Sequence, residues 1–227
     1  MDPDRNILEI ARLVGKIYLV SAEGLERNVN HMSFQLKGKV VFFATSNINK
    51  FNEARRILSR YKVAVGMIKV KTLEIQSESL EEIAKTSAIH AFKQCCLPLI
   101  VEDAGLFVEA LNGFPGPYSS YVYKTVGNEG LLKLMEKAAN RRAKFQSVVA
   151  FFSEELESPI CFKGEVVGEI TKEMRRESHY GFGFDPIFKP ANSLKTFAEM
   201  SIAEKNKYSH RAKAFRKFAK WYRSLKV

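Results

Sequence analysis

The chain has 227 residues, 46% of them hydrophobic and 27% charged, which excludes a wholly disordered chain and allows one large domain or a domain with an appendage. The formal charge of +11, from 36 Lys and Arg against 25 Asp and Glu, points to an anionic partner. By itself it does not separate nucleic acid from nucleotide or membrane surface. The excess is local: Lys205 to Val227 holds nine basic residues and no acid, while residues 1–36 hold four basic and five acidic ones.

Cys95, Cys96 and Cys161 are too few and too unevenly spaced for a disulfide framework or a zinc site, and they fit a reducing, cytoplasmic compartment. No apolar run reaches the ~18 residues that a membrane span needs. Acids at Asp2, Asp4 and Glu9 argue against a signal peptide. No membrane partner is expected.

Residues 1–36 read as an N-terminal extension, and residues 37–227 as the folded domain. Ile7, Leu8, Ile10, Ala11 and Val14 are spaced for a short amphipathic helix. Met32 lies just before the strong folding signals, so the extension is either dispensable, with an upstream start, or a docking helix. Val40 to Ala44 then reads as a buried strand, and Thr45 to Asn49 as a polar loop. Lys50 to Tyr61 reads as a helix facing inward through Phe51, Ala54, Ile57 and Leu58, and Val63 to Val70 as a second strand. Leu80 to Cys96 has helical spacing, and Pro98 to Val101 is a short buried strand ending in Glu102-Asp103. Gly113, Pro115, Gly116 and Pro117 make Leu111 to Ser119 a turn-rich loop. Gly130 to Ala139 reads as a helix. Ala143 to Ser153 and Ile160 to Ile170 read as paired strands, Tyr180 to Pro190 as a loop, and Ser209 to Leu225 as a last helix with its bases outward. Strand–helix alternation followed by a hairpin gives an α/β class with a mixed sheet.

Four segments could carry chemistry. Thr45, Ser46 and Asn47 open a helix, where unpaired N–H groups and side-chain donors make an anion cradle; the alternative is an ordinary N-cap. Lys50 at that helix start opposes the dipole, which a bound anion would offset. Glu102 and Asp103 face different ways if they lie on a strand, so they hold different roles rather than chelating one ion side by side. Glu74 is a candidate second carboxylate for magnesium, with a surface charge as the alternative. Gly181 to Pro186 offers close backbone approach, two aromatics able to cover a base and an acceptor in Asp185, or else a tight turn with core phenylalanines. Lys205, His210 and Arg211 form a basic group around a helix start, with His210 able to donate to a carbonyl oxygen.

Together and in this order, these segments resemble the inosine triphosphate pyrophosphatase family. The matching runs are Thr45-Ser46-Asn47-Ile48-Asn49-Lys50, Glu102-Asp103-Ala104-Gly105-Leu106, Gly113-Phe114-Pro115-Gly116-Pro117-Tyr118-Ser119, Phe182-Gly183-Phe184-Asp185-Pro186, and Ala198-Glu199-Met200 with Glu204-Lys205-Asn206 and Ser209-His210-Arg211. The likeness spans about residues 38–225. It implies an elongated mixed β-sheet flanked by helices, with two lobes and a central cleft, and a homodimer. It also implies Mg2+-dependent hydrolysis of ITP, dITP and XTP to the monophosphate and pyrophosphate, without a stable nucleic acid partner. On this likeness, Thr45, Ser46, Asn47, Ile48, Asn49 and Lys50 hold phosphates. Glu74 and Asp103 hold the metal, and Asp103 orients or deprotonates water. Ala104 meets substrate through its backbone, and Phe182, Gly183, Phe184, Asp185, Lys205, His210 and Arg211 enclose the base. The family's phosphate-binding lysine falls at Ser87 here, with Lys85 and Lys93 nearby.

Overall fold

A computed structural model of the chain describes residues 39–73, 75–175 and 181–225. Within it the described residues from Val40 onward form one compact unit. The expected helix over residues 7–14 and the boundary at residue 36 lie outside the described residues, as does Glu74.

The elements in chain order are β1 (Lys39–Ala44), α1 (Ile48–Ser59), β2 (Val63–Ile68), α2 (Leu80–Cys95), β3 (Leu99–Val108), β4 (Pro115–Gly116), α3 (Ser119–Thr125) and α4 (Gly127–Leu134). They continue with β5 (Arg142–Phe152), β6 (Ile160–Ile170), β7 (Phe188–Pro190), α5 (Ile202–Tyr208) and α6 (His210–Ser224). The strands form one seven-stranded sheet in the order β2-β1-β3-β5-β6-β7, with β4 paired to β3. β1 and β3 run parallel, and the pairings of β3 with β5 and of β5 with β6 are antiparallel, so the sheet is mixed as expected.

The main departure from the sequence reading is β3. It does not stop at Val101 but runs through Glu102 and Asp103 to Val108, in unbroken register with β5 from Leu99↔Phe152 to Val108↔Ala143. The two acids interrupt the hydropathy and not the strand, because pairing with β5 continues through both and Glu102 is neutralised by Arg211 and Lys50. Four short elements escape the sequence pattern, among them the two-residue strand β4 inside the expected loop. The helix α3 and the strand β7 are brief, and α5 opens on a Ser201–Glu204 capping box hidden among polar residues.

Two hydrophobic cores lie along the long strands. One joins Val41, Phe43, Ile57 and Leu58 to Ile100, Val149, Phe215 and Phe218. The other joins Leu106, Val108, Leu131 and Phe145 to Phe184, Phe188 and Phe197. Between them β3 and β5 carry polar residues, Glu102 and Ser147, on the same face. The helix α6 crosses that face. Its path is fixed by Gly164 on β6, where a Cβ would overlap the His210 carbonyl oxygen and the Ala214 nitrogen. The helix α2 covers the opposite face, its Phe92 ring meeting Phe152 edge-on at 5.1 Å.

Candidate active site

The gap between the two cores is filled by charge. Glu53 on α1 lies between Lys205 and Arg211, with Lys205 Nζ 2.7 Å from Glu53 Oε1 and Arg211 Nη1 2.7 Å from Oε2. Lys205 Nζ also reaches Asp185 Oδ2 at 2.7 Å. Arg211 Nε donates to Glu102 Oε1 at 3.1 Å, and the Ser147 hydroxyl donates to the same oxygen at 2.6 Å. Lys50 Nζ completes the chain, 2.9 Å from Glu102 Oε2 and 3.2 Å from the Glu102 carbonyl oxygen. Three carboxylates thus meet three cations, and all but Lys50 are buried. Buried ions are tolerable only when paired and hydrogen-bonded in this way.

The ionisation behaviour follows from these contacts. Burial works against Glu102 ionising, but Arg211 and Lys50 outweigh it and hold the carboxyl at about 2. Burial likewise opposes the charge on Glu53, and Lys205 with Arg211 keeps it below the usual carboxylate range. Asp185 shares Lys205 with Glu53, and burial pushes it up. Burial would discharge Lys205, but Asp185 and Glu53 raise it instead.

His210 behaves differently. Its ring stacks on Phe145 at 4.7 Å and 12°, and its Nδ1 is buried with no hydrogen-bond partner among the described residues. Burial, with Arg211, Lys205 and Lys50 close by, depresses its pKa well below 6.5. The imidazole is therefore neutral, carrying one N–H donor and one acceptor. Phe182 is half-buried and lies against Lys205 Nζ, 4.6 Å from the ring centroid, and against the Arg211 guanidinium at 5.4 Å. Its loop is tied down by the Phe182 N–H donating to Asp185 Oδ2 at 2.9 Å and by Asn128 Nδ2 donating to the Gly183 carbonyl at 3.2 Å.

β3 opens a notch beside this network. β1 covers its edge as far as Ile100, and β4 covers it again at Leu106 and Phe107. No strand among the described residues pairs with the intervening edge, which includes Ala104. The loop Thr45–Lys50, at the carboxyl end of β1, borders this gap, and Lys50 bridges into it. Ligands in open α/β sheets sit in such crevices beyond the carboxyl ends of strands. Glu102 pairs with Val149 and Asp103 with Val148. The two acids therefore point to opposite faces, as alternation requires, with Asp103 on the α2 side. Asp103 is half-buried.

Several expectations change. In the sequence Lys50, Lys205 and Arg211 read as cations awaiting an anion; each already has a carboxylate of the protein, so none demands a bound phosphate. Asn47 is the N-cap of α1, its Oδ1 accepting from the N–H groups of Asn49 and Lys50 at 3.0 and 3.1 Å. Two of the helix donors are thus spent, and Thr45, Ser46, Ile48 and Asn49 are what the loop presents at half-buried or exposed positions. Phe184 is a core residue, 3% exposed and packed edge-on against Tyr123, so only Phe182 of the two aromatics has a ring face near the charged network. Asp185 is buried and spends Oδ2 on Lys205 and the Phe182 N–H. Ser87 is buried on α2, where its hydroxyl donates to the Leu73 carbonyl at 3.1 Å. Lys85 is engaged with Glu81 at 2.6 Å.

Glu53 and Ser147 escape sequence reasoning. Glu53 precedes Ile57 by one helical turn, so it lies on the inward face. A carboxylate at an inward position is the available signal. Ser147 gives none, since a serine inside a strand is ordinary until its cross-strand neighbour is known.

This arrangement defines a mixed-sheet α/β protein with a buried charge network beside a strand-edge notch. A family model described as the Ham1 family matches residues 41–221, and the chain belongs to that family. It is 52% identical over 184 residues to the dITP/XTP pyrophosphatase of Methanopyrus kandleri, covering 81% of this chain and 96% of that protein. It is 49% identical over 189 residues to the dITP/XTP pyrophosphatase of Hyperthermus butylicus, covering 83% and 97%. Among solved structures, the Ham1 protein of Staphylococcus aureus superposes with a TM-score of 0.71 at 31% identity, covering 83% of this chain and all of that one.

Proposed function

We propose that the protein hydrolyses dITP, XTP and ITP to the nucleoside monophosphate and pyrophosphate. One observation carries the reading: 52% of 184 aligned residues are identical to a dITP/XTP pyrophosphatase, over 96% of that protein's length. The site supports it. Phosphates would enter the notch at Thr45 to Lys50, and Asp103 would orient the attacking water and accept its proton. Attack on a phosphoanhydride asks for positioning and charge neutralisation more than for a covalent nucleophile, and no Ser or Cys nucleophile is needed.

Magnesium belongs to this proposal. No group of three or more His, Cys, Asp and Glu placed to hold a metal ion occurs among the described residues. A half-buried Asp103 at the notch fits an ion that takes one or two carboxylates and fills its remaining positions with phosphate and water oxygens. Asp103 would hold it with Glu74. Bound there, the ion would neutralise charge on the phosphate oxygens.

The base would lie toward Phe182 and His210. A neutral imidazole can donate to a 6-oxo group without carrying charge into a site that already balances. Adenine would set an amino group against that donor, and an unpaired buried polar group costs about 1–3 kcal/mol, or roughly 5- to 150-fold in discrimination. The homodimer is also part of this reading, and exposed Tyr118, Tyr121 and Leu134 offer apolar surface for it. So is a cytoplasmic location, which the three free cysteines support. No helix among the described residues is long and apolar enough to cross a membrane.

Asp103→Asn tests the assigned chemistry. We expect turnover of dITP to fall at least a hundredfold while equilibrium binding of the nucleotide persists. Near-normal turnover in the variant would refute the role of Asp103.

A further inference from the structure

The pyrophosphatase reading leaves most of the basic excess unused. Of the six bases on α6, only Arg211 turns inward. Lys213, Lys217, Lys220 and Arg223 are exposed and Arg216 is half-buried. They recur at intervals of three and four residues, which sets them along one stripe of the helix. Over ten residues at 1.5 Å rise the stripe runs for about 15 Å. There is no acidic residue between Lys205 and Val227, and no carboxylate among the described residues forms an ion pair with any of these five. Lys213 Nζ and Lys217 Nζ rest instead on the backbone carbonyls of Glu165 and Lys163, both at 2.7 Å. These contacts brace the side chains, and the one acid lining the groove, Glu165, feels Lys213 while it pairs with Lys144. Lys213, Arg216, Lys217 and Lys220 line a groove of about 420 Å³ against Gly164 and Glu165.

We propose that this face of α6 is a docking surface for the phosphate backbone of duplex nucleic acid, read without regard to sequence. Charge complementarity selects the partner. A stripe of five cations on a rigid helix, facing a single acid, matches a regular line of phosphates, and such contacts supply non-specific affinity through counterion release. A lipid surface fits less well. Amphipathic helices bind membranes by burying their apolar face, and here that face is already in the core through Ala212, Phe215, Phe218 and Ala219. Nothing on this face reads base edges, so the contact is weak and salt-labile. A transient contact of this kind is compatible with the expectation of no stable nucleic acid partner.

The test is fluorescence anisotropy of the full chain against a labelled 20-base-pair DNA duplex across a series of salt concentrations. A triple variant Lys213→Gln, Lys217→Gln, Lys220→Gln is compared under the same conditions. We expect micromolar binding of the unaltered chain at 50 mM salt. Its log–log salt slope should be about −4, becoming shallower by roughly 3 in the variant, at about 0.9 for each phosphate no longer neutralised. The variant should keep its melting temperature and its dITP turnover, so a change in binding is not a change in fold. No duplex binding at 50 mM salt, or an equal slope in the variant, would overturn the proposal. Binding to phosphatidylserine vesicles with no binding to the duplex would also overturn it.

Discussion

Glu53 holds two cations at once, and its replacement separates a paired buried charge from an unpaired one. In Glu53→Ala, Lys205 keeps Asp185 and Arg211 keeps Glu102, but each loses a partner at 2.7 Å. Breaking a buried pair costs about 3–5 kcal/mol, and we expect a loss of that order in urea denaturation. Glu81 is the control. It pairs with Lys85 and Lys163 at the surface, and those contacts hold its carboxyl at about 2. Solvent screens them, so Glu81→Ala should cost less than about 1 kcal/mol. His210 gives a pH signature. Its folded pKa lies well below 6.5 because of burial and the surrounding cations, so the unfolded chain binds the proton first as pH falls. Stability therefore declines below pH 6.5, by about 1.4 kcal/mol per pH unit for one proton. Denaturation curves from pH 6.5 to 5 should be flatter by that amount in His210→Gln. Glu102 acts in a lower window, its stabilisation being lost as pH falls from about 4.5 to about 2. At this scale the sequence is legible where a side chain's role is local. Ser209 reads as the N-cap of α6 and is one, its hydroxyl accepting from the Ala212 N–H. It is illegible where the partner is distant: Arg211 and Glu53 are 158 positions apart, and no local pattern joins them.

The elements owe their placement to a few close approaches. α6 can deliver His210 and Arg211 to the network only because Gly164 leaves room for its first turn. Gly164→Ala would force backbone atoms of α6 away from the sheet, since the overlapping atoms belong to His210 and Ala214 themselves. We expect a loss of about 1–3 kcal/mol from overpacking, with dITP turnover reduced because His210 and Arg211 shift together. Wild-type stability and turnover in that variant would show that the helix is not held by this contact. Most elements are foreseeable from period and length: β6 spans Ile160–Ile170 as the sequence indicates, and α2 spans Leu80–Cys95. β3 reads short in the sequence because two adjacent acids look like a strand end. The ladder to β5 shows why they are not, as backbone pairing continues whatever the side chains are, and Arg211 and Lys50 remove the cost of Glu102.

On the scale of the whole molecule, charge and apolar surface are arranged together. Two cores share β3 and β5, and the polar residues where they meet are the ones that form the network. The net charge of +11 divides accordingly. Lys50, Lys205 and Arg211 are spent inside against three carboxylates, while the rest of α6 carries its charge outward. The motif order identifies the family and the mixed sheet. The charge balance inside the site and the notch at β3 need the three-dimensional register, because they depend on where β1 stops and β4 begins. Product analysis with dITP, XTP, ITP, ATP and GTP, with magnesium and with a chelator, is the decisive measurement for the proposed hydrolysis. We expect pyrophosphate and monophosphate from the first three, at rates at least tenfold above ATP and GTP, and loss of activity in the chelator. Release of orthophosphate, or ATP cleaved as fast as dITP, would contradict it.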